Sequence, residues 1–172
     1  MKNKNKITVF IIVIVLIFIG LFFFSQPGKK ENKKIDTISE TVSSLSLLQV
    51  NESPYNFGSI SMRDGNVSKV FKIENKTDVD VFIPNLATSC MCTTAYFLDA
   101  GGEKSGPFGM LGMGFVPKLN KTIKAGEAVE VEVVYDPNAH GPAGVGMIDR
   151  FVYLSDDSGE KLELEIKANV TP

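Results

Sequence analysis

The chain has 172 residues, a length that fits one domain of ordinary size with appended segments. Its formal net charge is −2, and it has no acidic tail and no basic block beyond its N-terminal part, which argues against nucleic acid as a partner. Two cysteines are too few for the disulfide framework of a small secreted domain, so we expect side-chain packing to supply the stability.

An uncharged apolar run occupies residues 7–24 (ITVFIIVIVLIFIGLFFF), directly after a basic flank at residues 1–6. At about 1.5 Å per residue the run covers roughly 27 Å, close to the thickness of the hydrocarbon layer of a bilayer. A cleaved signal peptide is the alternative, but its apolar part is usually about 7–15 residues long and is followed by small residues. We therefore predict an uncleaved single-pass transmembrane anchor that contacts the lipid bilayer.

Lysines lie on both sides of this run, so the positive-inside rule hardly distinguishes the two orientations. A short basic N-terminus before a long apolar run is the usual start of an export signal, and long domains that follow are translocated largely regardless of charge. We predict a cell-membrane protein whose C-terminal domain is extracytoplasmic.

Residues 25–46 are polar and rich in lysine, and Pro27-Gly28 breaks any helix at their start. They hold too few apolar residues to form a core, so we predict a flexible or partly helical tether. The folded domain is predicted to span residues 47–172.

Beyond residue 47 the apolar residues recur with a period of two, most clearly at residues 129–135 and 162–167. Further strand candidates are Tyr55–Ile60, Val67–Glu74, Val79–Pro84 and Met147–Leu154. Turn-forming residues separate them. The pattern predicts an all-β fold, an immunoglobulin-like antiparallel β-sandwich, with a small closed barrel as the alternative.

The segment at residues 99–121 departs from this pattern because it is rich in glycine and contains two prolines. We predict a Gly/Met-rich loop there and no ordinary strand. Its large apolar residues are Phe108, Met110, Leu111, Met113, Phe115 and Val116. Long loops of this kind are often functional. Loop 99–121 is therefore the predicted contact surface for a protein or cell-envelope partner.

Five short fragments carry a resemblance to a known family: YNFGSI at 55–60, VFKIEN at 70–75, TSCMCTT at 88–94, IKAGE at 123–127 and VVYDP at 133–137. In this order and spacing, residues 50–170 resemble the bacterial domain of unknown function 1573. That family is regarded as an immunoglobulin-like relative of hydin and major-sperm-protein domains. Met91 stands where the family usually has glycine, and loop 99–121 looks like an insertion. The resemblance implies the fold and an exported location, but no activity.

Cys90 and Cys92 are the candidate chemical site, two residues apart at the end of a predicted strand. If that strand continues, both side chains lie on one face. Three interpretations are open. The thiols are small, buried and inert, or they form a disulfide with or without redox activity, or they bind a soft metal ion.

The metal interpretation has a chemical basis, since thiolate and thioether ligands select Cu(I). The candidate ligands are Cys90, Cys92, His140, Met110 and Met113. Zinc is less favoured because a zinc site usually needs four firm ligands. The competing interpretation treats the histidine as solvated and the methionines as packing residues.

No arrangement of residues predicts hydrolytic chemistry, and nothing independent supports Cys–His nucleophilic catalysis with His140. We therefore name no catalytic residue and predict a non-enzymatic binding module. Extracytoplasmic Cu(I) binding or delivery is the first alternative function, and thiol–disulfide exchange by the Cys-x-Cys pair is the second.

Overall fold

The structure, a computed structural model, describes residues 44–172. The predicted basic flank at 1–6, the predicted anchor at 7–24 and most of the predicted linker at 25–46 lie outside the described residues. Within 44–172, no helix is both long enough and apolar enough to cross a bilayer.

Strands form most of the described part of the chain. They are β1 (Leu48–Val50), β2 (Tyr55–Ser61), β3 (Val67–Asn75), β4 (Val81–Ile83), β5 (Asn85–Thr88), β6 (Thr93–Leu98), β7 (Lys104–Phe108), β8 (Lys121–Ile123), β9 (Ala128–Tyr135), β10 (Gly146–Ser155) and β11 (Lys161–Thr171). Three short 3-10 helices complete the regular structure, at Ser44–Leu47, Met62–Asp64 and Gly141–Gly144.

These strands form three sheets. The first has the order β1-β3-β9-β6-β7, the second has the order β2-β11-β10-β5, and β4 pairs with β8 in the third. Every pairing is antiparallel except that of β2 with β11, which is parallel. The prediction of an all-β fold with antiparallel sheets is confirmed.

The period of two in the sequence becomes one buried face on each large sheet. On β9 the buried residues are Val129, Val131, Val133 and Tyr135, and on β11 they are Leu164, Ile166, Ala168 and Val170. Both rows belong to the same hydrophobic cluster. Since burying one such side chain contributes about 1.5–3 kcal/mol, this shared core is the main source of stability.

The predicted loop at residues 99–121 contains a strand, which corrects that prediction. Strand β7 pairs with β6 at the edge of the first sheet, where Pro107 is tolerated because one side of an edge strand needs no donor. Gly106 has a φ of 127°, and a Cβ there would lie 3.1 Å from the Ala95 carbonyl oxygen. The positive φ and this close approach together favour glycine at this position. Residues 109–120 form no strand.

The six strand candidates named from the sequence are all present, with shifts of a few residues at their ends. The short strands β1, β5, β6 and β8 were not predicted from the sequence. Three of these have only three or four residues, too few to show a clear alternation.

One buried polar side chain links the ends of several strands. The Asn75 amide nitrogen donates to the carbonyl oxygens of Val79 at 2.7 Å and Ile123 at 3.1 Å. Its amide oxygen accepts from the backbone N–H of Thr77 at 3.2 Å and from the Thr77 hydroxyl at 2.7 Å. Asn75 therefore joins the end of β3 to the end of β8.

We expect Asn75→Ala to lower the free energy of unfolding by about 2–3 kcal/mol, because buried carbonyl groups lose their donor. Chemical denaturation followed by circular dichroism measures this. The matched control is Asn66→Ala, at an exposed turn position, for which we expect a change below about 0.5 kcal/mol. Equal effects of the two substitutions would contradict the structural role of Asn75.

Candidate functional site

Cys90 and Cys92 lie in the turn between β5 and β6, not on a continuing strand, which corrects the sequence-based expectation. The turn is closed by the Thr93 N–H, which donates to the Cys90 carbonyl oxygen at 3.1 Å. The buried Thr88 hydroxyl lies 2.9 Å from the same oxygen and 3.1 Å from the Thr93 carbonyl oxygen. The physical reason for the turn is topological, since β5 belongs to the second sheet and β6 to the first.

The two sulfur atoms are joined as a disulfide, with the Cα atoms 5.2 Å apart. Their access to solvent differs. Cys90 is half-buried, whereas Cys92 is only 2% exposed and belongs to the hydrophobic core cluster. Of the three interpretations of this pair, the structure therefore has the disulfide, with one sulfur atom more accessible than the other.

His140 stands beside the more accessible sulfur. Its Nε2 lies 3.1 Å from Cys90 Sγ. The loop that carries it follows β9 and is held by local hydrogen bonds, from the Asn138 N–H to Asp136 Oδ1 at 2.8 Å and from the Gly141 N–H to the Asn138 carbonyl at 2.9 Å. The predicted association of this lone histidine with the cysteines is thus present in the structure.

The turn and the histidine loop are also joined directly. The Asp136 N–H donates to the Cys92 carbonyl oxygen at 2.9 Å. Next to this bond, Thr93 on β6 is the partner of Tyr135 on β9 in the strand register. The pairing of β6 with β9 therefore sets the distance between the cysteines and the loop of His140.

Arg150 stands beside the buried sulfur and was not predicted from the sequence to belong to the site. Its Nε donates to Cys92 Sγ at 3.2 Å. On β10 it occupies an inward position between Ile148 and Val152, both of which are buried. A charge at a position where the alternation requires an apolar side chain is the signal that could have revealed it.

The surroundings of Arg150 hold it in place. Its Nη1 donates to the Asp149 carbonyl oxygen at 2.7 Å. Two hydrogen bonds of 2.9 Å between Ser89 and Phe151 tie β10 to the cysteine turn. Burial raises the pKa of the Tyr135 hydroxyl, the Arg150 cation opposes that rise, and the Asp136 carboxylate adds to it.

Met110 and Met113 lie on the neighbouring loop. Met110 forms an isolated parallel bridge with Thr88, and the Met113 N–H donates to the Met110 carbonyl oxygen at 3.3 Å. Both side chains are exposed, that of Met113 by 59%. The loop borders the cysteine turn, and the role of the two thioethers as ligands stays a prediction.

The sulfur of Cys90, the sulfur of Cys92 and a ring nitrogen of His140 all lie within 4.8 Å of one another. A cation next to sulfur stabilises a thiolate, and an arginine side chain keeps its proton throughout the physiological range. The site can therefore accommodate negative charge on the buried sulfur whenever the bond between the sulfurs is opened.

Residues 48–103 match the family model described as "Protein of unknown function (DUF1573)". This part of the chain is similar to that family. The match confirms the resemblance identified from the sequence and includes the whole Cys90–Cys92 turn. His140 and Arg150 lie beyond it, so half of the site comes from outside the matched residues.

Similarities to solved structures are weak, and no curated protein matches the chain. A protein of unknown function from Porphyromonas gingivalis W83 shares 14% identity, with a TM-score of 0.48, over 72% of this chain and 46% of its own. The secreted serine protease VesC from Vibrio cholerae shares 10% identity, with a TM-score of 0.48, over 78% of this chain and 26% of its own. This chain thus spans less than half the length of each.

We expect reduction of the bridge to lower the free energy of unfolding by only about 1.5 kcal/mol, because closing a three-residue loop removes little entropy from the unfolded chain. Urea denaturation with and without a phosphine reductant measures the difference. The control is the double variant Cys90→Ser/Cys92→Ser, whose stability should not respond to phosphine. A loss above about 4 kcal/mol on reduction would identify the bridge as a structural element.

Proposed function

We propose that this chain is a membrane-anchored, extracytoplasmic domain of immunoglobulin-like β-sandwich type that carries a redox-active disulfide. The observation that supports this best is the unequal environment of the two sulfur atoms. Cys90 Sγ is half-buried and lies 3.1 Å from His140 Nε2, whereas Cys92 Sγ is buried and lies 3.2 Å from Arg150 Nε.

A purely structural role accounts poorly for this bridge. A stabilising disulfide gains most when it closes a long loop, and here only Met91 separates the two cysteines. The turn is already closed by hydrogen bonds from Thr88 and Thr93. The bond adds little that these contacts do not supply, so its presence is better explained by chemistry.

The first step of the exchange follows from access. A thiolate of a partner dithiol attacks Cys90 Sγ, the more accessible sulfur, and forms a mixed disulfide. The bond between Cys90 and Cys92 breaks, and its electron pair leaves on Cys92 Sγ as a thiolate. The Arg150 guanidinium, already donating to that sulfur, stabilises the leaving group.

The second step releases the partner. The second thiol of the partner loses its proton and attacks the partner's own sulfur in the mixed disulfide, so that Cys90 leaves as a thiolate beside His140. The partner is oxidised to its disulfide, and the domain gains two electrons and two protons as a dithiol. The same steps in reverse oxidise a reduced domain at the expense of a partner disulfide.

The location is proposed on sequence grounds. The apolar run at 7–24 would hold the chain in the membrane, and the linker at 25–46 would separate the domain from the bilayer. A lasting disulfide suits an oxidising compartment outside the cytoplasm. In the two large sheets most neighbouring strands are antiparallel, and both sheets bury one face in the same core. This arrangement agrees with an immunoglobulin-like sandwich.

The predicted partner surface on loop 99–121 fits this function. Leu111 is 69% exposed and Phe115 is 93% exposed, and both follow Met110, which bridges to Thr88 next to the cysteine turn. A protein that delivers thiols to Cys90 would contact these apolar side chains first. The binding function expected from the sequence and the redox function would then belong to one surface.

We expect the two cysteines to react unequally in the full-length chain. In Cys92→Ser, Cys90 should form a mixed disulfide with oxidised glutathione at least about tenfold faster than Cys92 does in Cys90→Ser, because exposure governs access. Mass spectrometry of the quenched reaction measures both rates. Equal rates would contradict the difference in access on which the assignment of Cys90 as the attacked sulfur depends.

The role of Arg150 is tested on the intact bridge. Arg150→Gln should slow opening by dithiothreitol about tenfold, since the leaving thiolate loses its cation. Lys161→Gln, which removes an exposed cation on β11, is the matched control and should leave the rate unchanged. If Arg150→Gln opens as fast as the unmodified chain, the proposed leaving group is wrong.

Deletion of residues 7–24 should move the protein from the membrane fraction to the soluble fraction, because those residues carry the proposed anchor. Alkaline extraction of membranes from cells that produce each form measures this. Protease added to intact spheroplasts should digest the domain of the undeleted chain but not a cytoplasmic marker. Protection of the domain would refute the extracytoplasmic location.

A further inference from the structure

We infer that the reduced site binds one soft monovalent metal ion, Cu(I), through Cys90 Sγ, Cys92 Sγ and His140 Nε2. The inference rests on the proposed reduction of the bridge, because only thiolates bind the ion. The three ligand atoms already lie within 4.8 Å of one another. Sulfur and imidazole ligands together are the set that Cu(I) prefers.

The three ligands are positioned by contacts that do not depend on the disulfide. Both cysteines belong to a turn closed by Thr88 and Thr93. The loop of His140 is attached to that turn by the bond from the Asp136 N–H to the Cys92 carbonyl oxygen. Opening the bridge therefore leaves two thiols and an imidazole at one place, with little rearrangement of the backbone.

The charge of the site selects the ion. Two thiolates and one Cu(I) carry a net charge of −1, which the neighbouring Arg150 guanidinium balances. A divalent ion with the same ligands would form a neutral complex beside an uncompensated cation. Zn²⁺ usually takes four firm ligands. The ligand cluster found here has three members, Cys90, Cys92 and His140, so it would leave Zn²⁺ without a fourth protein ligand from the cluster.

Two carboxylates also lie near the site. The Asp149 carboxylate lies 3.6 Å from Lys167 Nζ. Asp136 Oδ1 accepts the Asn138 N–H. Arg150 is the charged side chain that directly contacts a ligand sulfur, so its cation acts on the bound ion at short range.

Metal binding and the redox state of the pair are coupled. The two thiols release their protons to solvent as the ion binds, and the oxidised pair has no thiolate to offer. When free Cu(I) exceeds its Kd, each further tenfold rise in its concentration shifts the ratio of reduced to oxidised protein about tenfold towards the reduced form. Reduction of the bridge would thus make both sulfur ligands available, and bound Cu(I) would keep the pair reduced.

The test uses the full-length chain in detergent, reduced with phosphine, desalted without oxygen and titrated with Cu(I) against a chromogenic chelator. We expect one ion per chain for the reduced form and none for the oxidised form. His140→Ala should weaken Cu(I) binding at least about tenfold through loss of a ligand, and Arg150→Gln should lower the ratio of Cu(I) to Zn²⁺ affinity at least about tenfold. Met147→Leu, at an exposed position of β10, is the control and should change neither value.

X-ray absorption at the copper edge of the unmodified reduced chain should show two sulfur ligands and one nitrogen ligand, which tests the site without any variant. The inference is overturned if the chelator retains the copper, if Zn²⁺ binds more tightly than Cu(I), or if absorption shows no nitrogen ligand. Thiol exchange in the absence of metal is measured separately, so failure of metal binding leaves the proposed redox function standing.

Discussion

The chain must cross from one sheet to the other between Thr88 and Thr93, and the candidate site depends on this crossing. Strand β5 ends in the second sheet and β6 begins in the first, so only a tight turn can join them. The Thr88 hydroxyl and the Thr93 N–H hold that turn closed. The turn orients Cys90 and Cys92, on either side of Met91, so that their sulfur atoms are within bonding distance.

The same crossing gives the two sulfur atoms different surroundings. At one end of the turn, Cys90 remains within reach of solvent and of the loop that follows β9. At the other end, Cys92 enters the core as β6 begins, where Arg150 from β10 reaches it. In such a pair an incoming thiolate attacks the accessible sulfur, and the buried sulfur beside the cation is the leaving group. A symmetric pair has no such preference.

Arg150 connects the redox and metal functions proposed for this site. Its cation stabilises the thiolate that leaves when the bridge opens, and it balances the negative charge of two thiolates with a monovalent ion. A guanidinium on an inward strand position is costly unless it is paired. In the structure Cys92 Sγ and the Asp149 carbonyl oxygen accept its hydrogen bonds, and the thiolate formed when the bridge opens would be a charged partner.

Much of the β-structure could be predicted from the sequence, because alternating burial of side chains is a local pattern. It shows clearly in the long strands β9 and β11, and it fails in short strands such as β5 and β8. The edge strand β7 was not predicted, because glycine and proline usually disfavour a strand. In the structure the edge position tolerates Pro107, and the close approach of the Ala95 carbonyl oxygen accounts for Gly106.

The sequence by itself determined the class of fold, the resemblance of residues 48–103 to a family and the two cysteines, together with the lone histidine as their candidate partner. Only the tertiary structure decided that the cysteines form a turn, that His140 meets Cys90, and that Arg150 meets Cys92. Fifty or more positions of chain separate these partners, and the pairing of β6 with β9 and the Ser89–Phe151 bonds that tie the turn to β10 bring them together. Local sequence patterns do not predict such long-range register, because the register is set by how the two sheets pack.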